Sequence, residues 1–170
     1  DARENFRSVT RMTFDGEKAA FRKLPDLPVP LAQMTGALVG RSVHILGGIE
    51  TPDATCATSG HWSLNLDQLD KGWKTLAPLP ADGRILATSA GIDGSFVIAG
   101  GCSLAPDDAG KPKRTYLRET WSFSNDQWAR LADMPRAAVA AASPSPVRGG
   151  LMFVVSGDDG LQVNLASPAD

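Results

Sequence analysis

Two histidines, one tyrosine and two cysteines are all that this 170-residue chain has of the residues most often used to hold transition metals. Cys56 and Cys102 stand 46 residues apart with no Cys-x-x-Cys or Cys/His zinc spacing around them, so no metal site is expected. A disulfide between neighbouring loops stays open on this count, because pairing depends on geometry that spacing does not give. Dense positive charge is lacking too. The formal net charge is -2, and Lys111, Lys113 and Arg114 form the one basic run, inside a Pro/Gly-rich segment that reads as a solvated loop. Nucleic-acid binding is therefore not expected. The longest apolar runs, such as Leu151 to Val155, are strand-sized and far short of the roughly 20 residues of a membrane helix. No stretch holds a 3.6-residue apolar period over 11 or more positions. The first residue is Asp1, with no basic-then-apolar leader behind it, from which a processed or excised chain is expected.

What the chain has in quantity is turn residues, 17 Gly and 12 Pro, and they recur in order. The stretch Trp73-Lys74-Thr75-Leu76-Ala77-Pro78-Leu79-Pro80 has a counterpart upstream, Phe21-Arg22-Lys23-Leu24-Pro25-Asp26-Leu27-Pro28. A second lies downstream, Trp128-Ala129-Arg130-Leu131-Ala132-Asp133-Met134-Pro135. Their leading aromatics are 52 and then 55 residues apart. An independent mark keeps the same step: Leu46-Gly47-Gly48, Ala99-Gly100-Gly101, Val155-Ser156-Gly157. A fixed period of this size signals a solenoid, propeller or array.

Each period holds four short apolar stretches punctuated by Gly, Pro and Asp, which read as strands. One period gives Gln33 to Val39, Ser42 to Leu46, a loop from Ile49 to Gly60, His61 to Leu66 and Trp73 to Leu76. The next gives Ile85 to Ile92, Ser95 to Ala99, a loop from Gly101 to Thr115, Tyr116 to Phe123 and Trp128 to Leu131. Four antiparallel strands in about 50 residues make a propeller blade. The predicted organisation is two outer strands of a preceding blade (6–24), whole blades at 29–76 and 81–131, and the inner strands of a following blade (136–165). There, Ala137 to Ser143, Leu151 to Val155 and Leu161 to Leu165 are the expected strands. In the Trp-x-x-Leu mark the two side chains should face opposite sides of the blade and fill separate layers.

Gly47-Gly48, Gly100-Gly101, Trp73, Trp128 and the Leu-Pro or Met-Pro after each Trp resemble the kelch repeat, over nearly the whole chain. Phe21 in place of Trp, Ser156-Gly157 in place of Gly-Gly, and Trp62 and Trp121 where the repeat usually has Tyr are the departures. Leu24-Pro25-Asp26-Leu27-Pro28, Gly36-Ala37-Leu38-Val39-Gly40 and His44-Ile45-Leu46-Gly47-Gly48 further resemble the bacterial N-acetylneuraminate epimerases (sialic acid mutarotases), in their cyclically permuted form. The resemblance implies an all-β, kelch-type β-propeller fragment of about three four-stranded blades, from a ring of six. It implies exchange between sialic acid anomers, no cofactor, and a periplasmic or extracellular setting. No active-site motif of that family matches a position here.

Long loops after the second strand of each blade are where binding residues are expected. Ring opening at an anomeric carbon takes a proton from one oxygen and gives one to another, and a sugar acid needs a cation for its carboxylate. Glu50, Asp158 and Asp159, just past the second strands, are the candidate acid/base groups. Asp next to Gly is also ordinary turn chemistry. Arg84 and Arg136, in loops after the fourth strand, and Asp53 are the candidate substrate-binding groups, and Arg there also serves structural hydrogen bonds. Arg114 and Arg118 read as surface residues, His44 and His61 as packed strand residues, and Cys102 as a thiol with no nearby histidine to activate it. One Tyr (Tyr116) and two His are too few for the copper ligands of the galactose oxidases, which resemble this fold. The expected partners are a small sugar acid or glycan on the loop face, and either further copies of the chain or blades outside it. A non-catalytic kelch module for protein or carbohydrate binding is the alternative.

Overall fold

The computed structural model describes residues 3–160. The chain opens with a hairpin, β1 (Val9–Phe14) and β2 (Ala19–Leu24). Asp15 closes its turn, one carboxylate oxygen accepting from the N–H groups of Glu17 and Lys18. The first four-stranded sheet follows in sequence order: β3 (Thr35–Val39), β4 (Ser42–Leu46), β5 (His61–Asn65) and β6 (Trp73–Thr75). The second whole blade is built from β8 (Thr88–Ile92), β9 (Ser95–Ala99), β12 (Thr120–Ser124) and β13 (Gln127–Arg130), again an antiparallel meander. Its tight turns are legible in sequence. Asp93-Gly94 and Asn125-Asp126 all have positive φ, as two-residue hairpins of the twist-matching type require.

Between β9 and β12 the structure departs from expectation. Gly101 to Thr115 is a hairpin and not a loop: β10 (Cys102–Pro106) pairs with β11 (Pro112–Tyr116), and β10 also pairs with β7 (Arg84–Ile85) in a three-stranded sheet of its own. Ile85 therefore leaves the strand in which it was expected and turns to Cys102. Four of the five residues of β11 are exposed, so no buried face imprinted an apolar alternation on that segment.

The last repeat also differs. Ala137 to Ser143 forms no strand; it is the lead-in to one, joined to Asp158 by a bridge at Val139. The paired strands lie later, β14 (Val147–Arg148) and β15 (Leu151–Met152), turning at Gly149-Gly150. The expected Leu151 to Val155 strand is thus cut to its first two residues, and Leu161 to Leu165 lies outside the described residues.

The repeated marks are hydrogen-bonding devices. Gly48 N–H donates to the Arg84 carbonyl, and Gly101 N–H to the Ala138 carbonyl one repeat on. All four glycines of the two pairs have positive φ, and a Cβ on Gly47 or Gly100 would run into those same carbonyls. The indole of Trp73 donates to Pro25 O and that of Trp128 to Ala77 O, each 2.9 Å away and each in the Leu-Pro segment of the preceding repeat. The Leu or Met before each Pro is also tied down: Leu27 N–H to Arg7 O, Leu79 to Ser59 O, Met134 to Arg118 O.

These ties hold apolar layers between the blades. Leu27, Leu31 and Trp62 are buried between the first hairpin and the first blade, with Trp73 against them. Ala37, Leu46, Leu79, Phe96, Ile98 and Phe123 form the layer between the two whole blades, with Leu76 and Trp128 at its edge. Trp73 and Leu76 thus serve different layers, as their spacing predicts. A third cluster, Ile49, Ile85, Cys102, Leu104 and Val139, lies beneath the long loops. Fully burying one such side chain contributes about 2 kcal/mol, so these layers outweigh any single hydrogen bond.

Candidate functional site

The loop face is set by a backbone rule repeated three times. The residue after each second glycine pairs with the lead-in to its own inner strand: Ile49 with Ala32, Cys102 with Ile85, Asp158 with Val139. Asp158 is therefore the counterpart of Ile49, and Asp159 that of Glu50, in keeping with the alignment of the Gly-Gly marks. The next lead-in residues, Gln33, Leu86 and Ala140, all hold positive φ (59°, 56° and 54°) without being glycine. Leu86 N–H donates to Gln33 O and Ala140 N–H to Leu86 O, a head-to-tail chain of peptides running from blade to blade.

On this frame β11 carries Tyr116 to Asp158. The phenol donates to Asp158 Oδ2 at 3.2 Å, and Asp158 Oδ1 accepts from the Gly160 N–H at 2.9 Å. The Asp158 charge pushes the Tyr116 phenol above its ordinary value, which keeps it a neutral donor. Arg136 reaches Asp159, Nη1 to Oδ2 3.9 Å. Arg114 stands close enough to Tyr116 and Cys102 to act on both electrostatically. It also borders a hollow of about 310 Å³ lined by Gln33, Ile49, Leu104 and Pro112 among others. Arg114, Tyr116, Arg136, Asp158 and Asp159 therefore put two cations, two carboxylates and a phenol near one edge of the loop face.

The other expected groups go elsewhere. Glu50 and Asp53 are exposed on the 47–60 loop and form no side-chain hydrogen bond or ion pair with another described residue. Arg84 is 1% exposed and turned inward, away from solvent. Its Nη2 donates to Glu119 Oε2 at 2.7 Å and its Nη1 to Gly100 O at 3.3 Å, while Nε has no partner. Burial lowers the Arg84 guanidinium and Glu119 pushes back. Burial likewise raises the Glu119 carboxyl, but hydrogen bonds from Arg84 and Trp121 and the charges of Arg84 and Arg130 outweigh it and hold it below the usual range. Arg118 caps the Met134 carbonyl, as Arg7 caps Leu27. Both cysteines are free thiols, Cys56 exposed and Cys102 buried, and burial pushes the Cys102 thiol up, toward the inert form. Among the described residues no group of three His, Cys, Asp or Glu could hold a metal ion.

Sequence reasoning missed two features. Tyr116 was read as the start of the next strand and within a count of possible ligands; it closes β11 instead, two residues from Arg114 and so on the same face. His44 and His61 were read singly. They sit diagonally on one face of paired strands and touch, His44 Nδ1 to His61 Nε2 at 2.9 Å.

No family model matches the chain. Curated relatives do. It is 29% identical to the N-acetylneuraminate epimerase of Pasteurella multocida (strain Pm70) over 134 residues, 76% of this chain and 32% of that protein. It is 26% identical to the epimerase of Haemophilus influenzae (strain PittEE) over 79% of this chain and 33% of the relative. It is 38% identical to that of Escherichia coli (strain K12) over 46% of this chain and 19% of the relative. A solved structure described as the structure of YjhT superposes with a TM-score of 0.62 at 17% identity, over 76% of this chain and 40% of that one. The chain spans about a third of the length of the first two relatives. Repeats, blades and relatives agree: this is an all-β chain of kelch-type β-propeller architecture, similar to the bacterial N-acetylneuraminate epimerases.

Proposed function

We propose that the chain is part of a kelch propeller that interconverts the anomers of a sialic acid by acid/base ring opening on its loop face. The observation that carries this reading is the similarity to proteins named N-acetylneuraminate epimerase over three quarters of the chain. The chemistry available at the Tyr116–Asp158 edge supports it. Arg136 and Arg114 bind the sugar carboxylate in this reading. Asp158 takes the proton of the anomeric hydroxyl, the bond between anomeric carbon and ring oxygen breaks toward the oxygen, and that oxygen receives a proton from Tyr116. Rotation of the open-chain ketone and the reverse steps close the other anomer. Asp159, held by Arg136, and Glu50 and Asp53 across the face remain candidates for orienting the sugar.

NMR exchange between the two anomers' signals tests this. The whole propeller should speed the exchange, and Asp158→Asn in it should cut the acceleration by roughly 100-fold, the usual scale for one acid/base group. An exchange rate unchanged at high protein concentration would sink the catalytic reading. Line broadening without faster exchange would favour the carbohydrate-binding module. A non-catalytic module for protein or carbohydrate binding is the alternative. Phe6, Met12, Phe14 and Phe21 are all more than half exposed in and beside the first hairpin, an apolar face that further blades would cover as readily as a binding partner.

A further inference from the structure

A large hollow among the described residues lies away from the long loops. It is a groove of about 700 Å³ between the two whole blades, at the opposite end from the 47–60 loop, where the short turns of both blades meet. Its volume is within the range of small-molecule sites. Ser63 and Asn65 from β5 and Lys74 from β6 line one side, and Asp126, from the β12–β13 turn, lines the other. Lys74 and Asp126 face each other across the blades at 3.8 Å. His44 lines the groove and Phe123 supplies an apolar wall.

His44 gives this groove a built floor. Its Nδ1 is committed to His61 Nε2, and His61 is fully buried among Phe96, Phe123 and Trp128, so neither ring can turn freely. His44 Nε2 has no hydrogen-bond partner among the described residues and is not sealed from solvent. Two neutral imidazoles sharing one hydrogen bond leave that outer nitrogen either a bare acceptor or an N–H donor, according to tautomer. A hydroxyl answers both cases, whereas a carboxylate answers one only. Around it stand a serine hydroxyl, an asparagine amide and the Lys74–Asp126 pair, groups that read hydroxyls, with an aromatic edge for a C–H face.

From this geometry we infer that the groove between the two whole blades is a second binding site, for a monosaccharide-sized polyhydroxylated ligand, with His44 Nε2 as its fixed hydrogen-bonding contact. The site stands on different residues from the Tyr116–Asp158 edge and does not depend on the reading given to that edge.

The chain has two histidines, so its imidazole ¹⁵N spectrum holds two rings and reports the groove directly. The probes are free hexoses (glucose, galactose and mannose) titrated to about 50 mM, enough to saturate a millimolar site. The expected result is a saturable shift of the His44 Nε2 signal with at least one hexose. Ser63→Ala and Lys74→Ala, both at solvent-reachable positions, should weaken that binding several-fold with an unchanged folded spectrum. Asp158→Asn, on the other face, should leave it unchanged. The proposal is overturned if no hexose moves His44, or if a shift appears that neither Ser63→Ala nor Lys74→Ala weakens.

Discussion

Ala140 and Gly100 make opposite demands of the backbone, and the difference can be measured. Ala140 sits at φ 54°, where an L-residue's Cβ is crowded at a cost of about 1–2 kcal/mol. Glycine removes that cost and loses about 0.5–1 kcal/mol in chain entropy. Ala140→Gly should therefore raise stability by about 0.5 kcal/mol, read as a higher urea midpoint at unchanged slope. Gly100 is also left-handed, at φ 63°, but it packs on the Ala138 carbonyl and the Met134 side chain. Gly100→Ala adds overpacking to strain, each about 1–3 kcal/mol, and should lower stability by at least about 2 kcal/mol. A stabilising Gly100→Ala, or an Ala140→Gly as damaging as an ordinary Ala-to-Gly change in a strand, would refute this account. Gly47 and Gly100 marked the repeat in the sequence because each combines a positive φ with a carbonyl that a Cβ would strike, while Ser156 holds φ 64° at the matching place of the last repeat. Gln33, Leu86 and Ala140 share a positive φ at equivalent places, yet three unrelated side chains leave no pattern to read.

At the level of elements, the Trp-x-x-Leu mark shows how far sequence reading reached. Its period located the blades, the alternation of Trp73 and Leu76 separated two packing layers, and the hairpin turns of the second blade were written in Asp93-Gly94 and Asn125-Asp126. The indole bonds to Pro25 and Ala77 were not legible, because a backbone acceptor has no residue type. They also explain why Trp stands where Phe would fill similar space. Trp128→Phe should cost about 1–2 kcal/mol, from the lost hydrogen bond and the smaller ring, with β13 and the Ala77 segment losing amide protection together. A change under about 0.3 kcal/mol would mean that the indole contributes no more than its area. The β10–β11 hairpin was missed for the opposite reason. Four of the five residues of β11 are exposed, so hydrophobic patterning, the signal that found the others, is absent from that strand, although β10 buries Cys102, Ser103 and Leu104. The candidate site inherits that blind spot, since Arg114 and Tyr116 ride on this hairpin. Arg84 was expected in an exposed loop, and the pairing of Ile85 with Cys102 makes its position a buried strand instead.

For the molecule as a whole, the seam between the two complete blades holds the largest buried apolar cluster among the described residues and both histidines. His61 is fully buried there against Phe96, Phe123 and Trp128. Burial, followed by the proximity of His44, lowers its pKa from 6.5 to about 3, and burial lowers His44 as well. In the unfolded chain both rings return to about 6.5 and take up protons below that pH. Between about pH 6.5 and 3 the unfolded state binds more protons, so stability is fully present above 6.5 and drains away as pH falls toward the folded-state value. Each proton taken up on unfolding steepens the loss toward about 1.4 kcal/mol per pH unit. The window from pH 6.5 to 5 isolates the histidines, because carboxylates such as Glu119, whose folded-state pKa is also lowered, weaken the fold only at lower pH. Urea unfolding should therefore show a midpoint falling steadily from pH 7 to 5. His61→Phe, which keeps an aromatic ring in the layer and removes the proton site, should flatten most of that slope. A wild-type midpoint that does not move between pH 7 and 5 would show that the two rings accept a proton in the folded state as readily as in water, and that the seam between the blades is wetter than its packing implies.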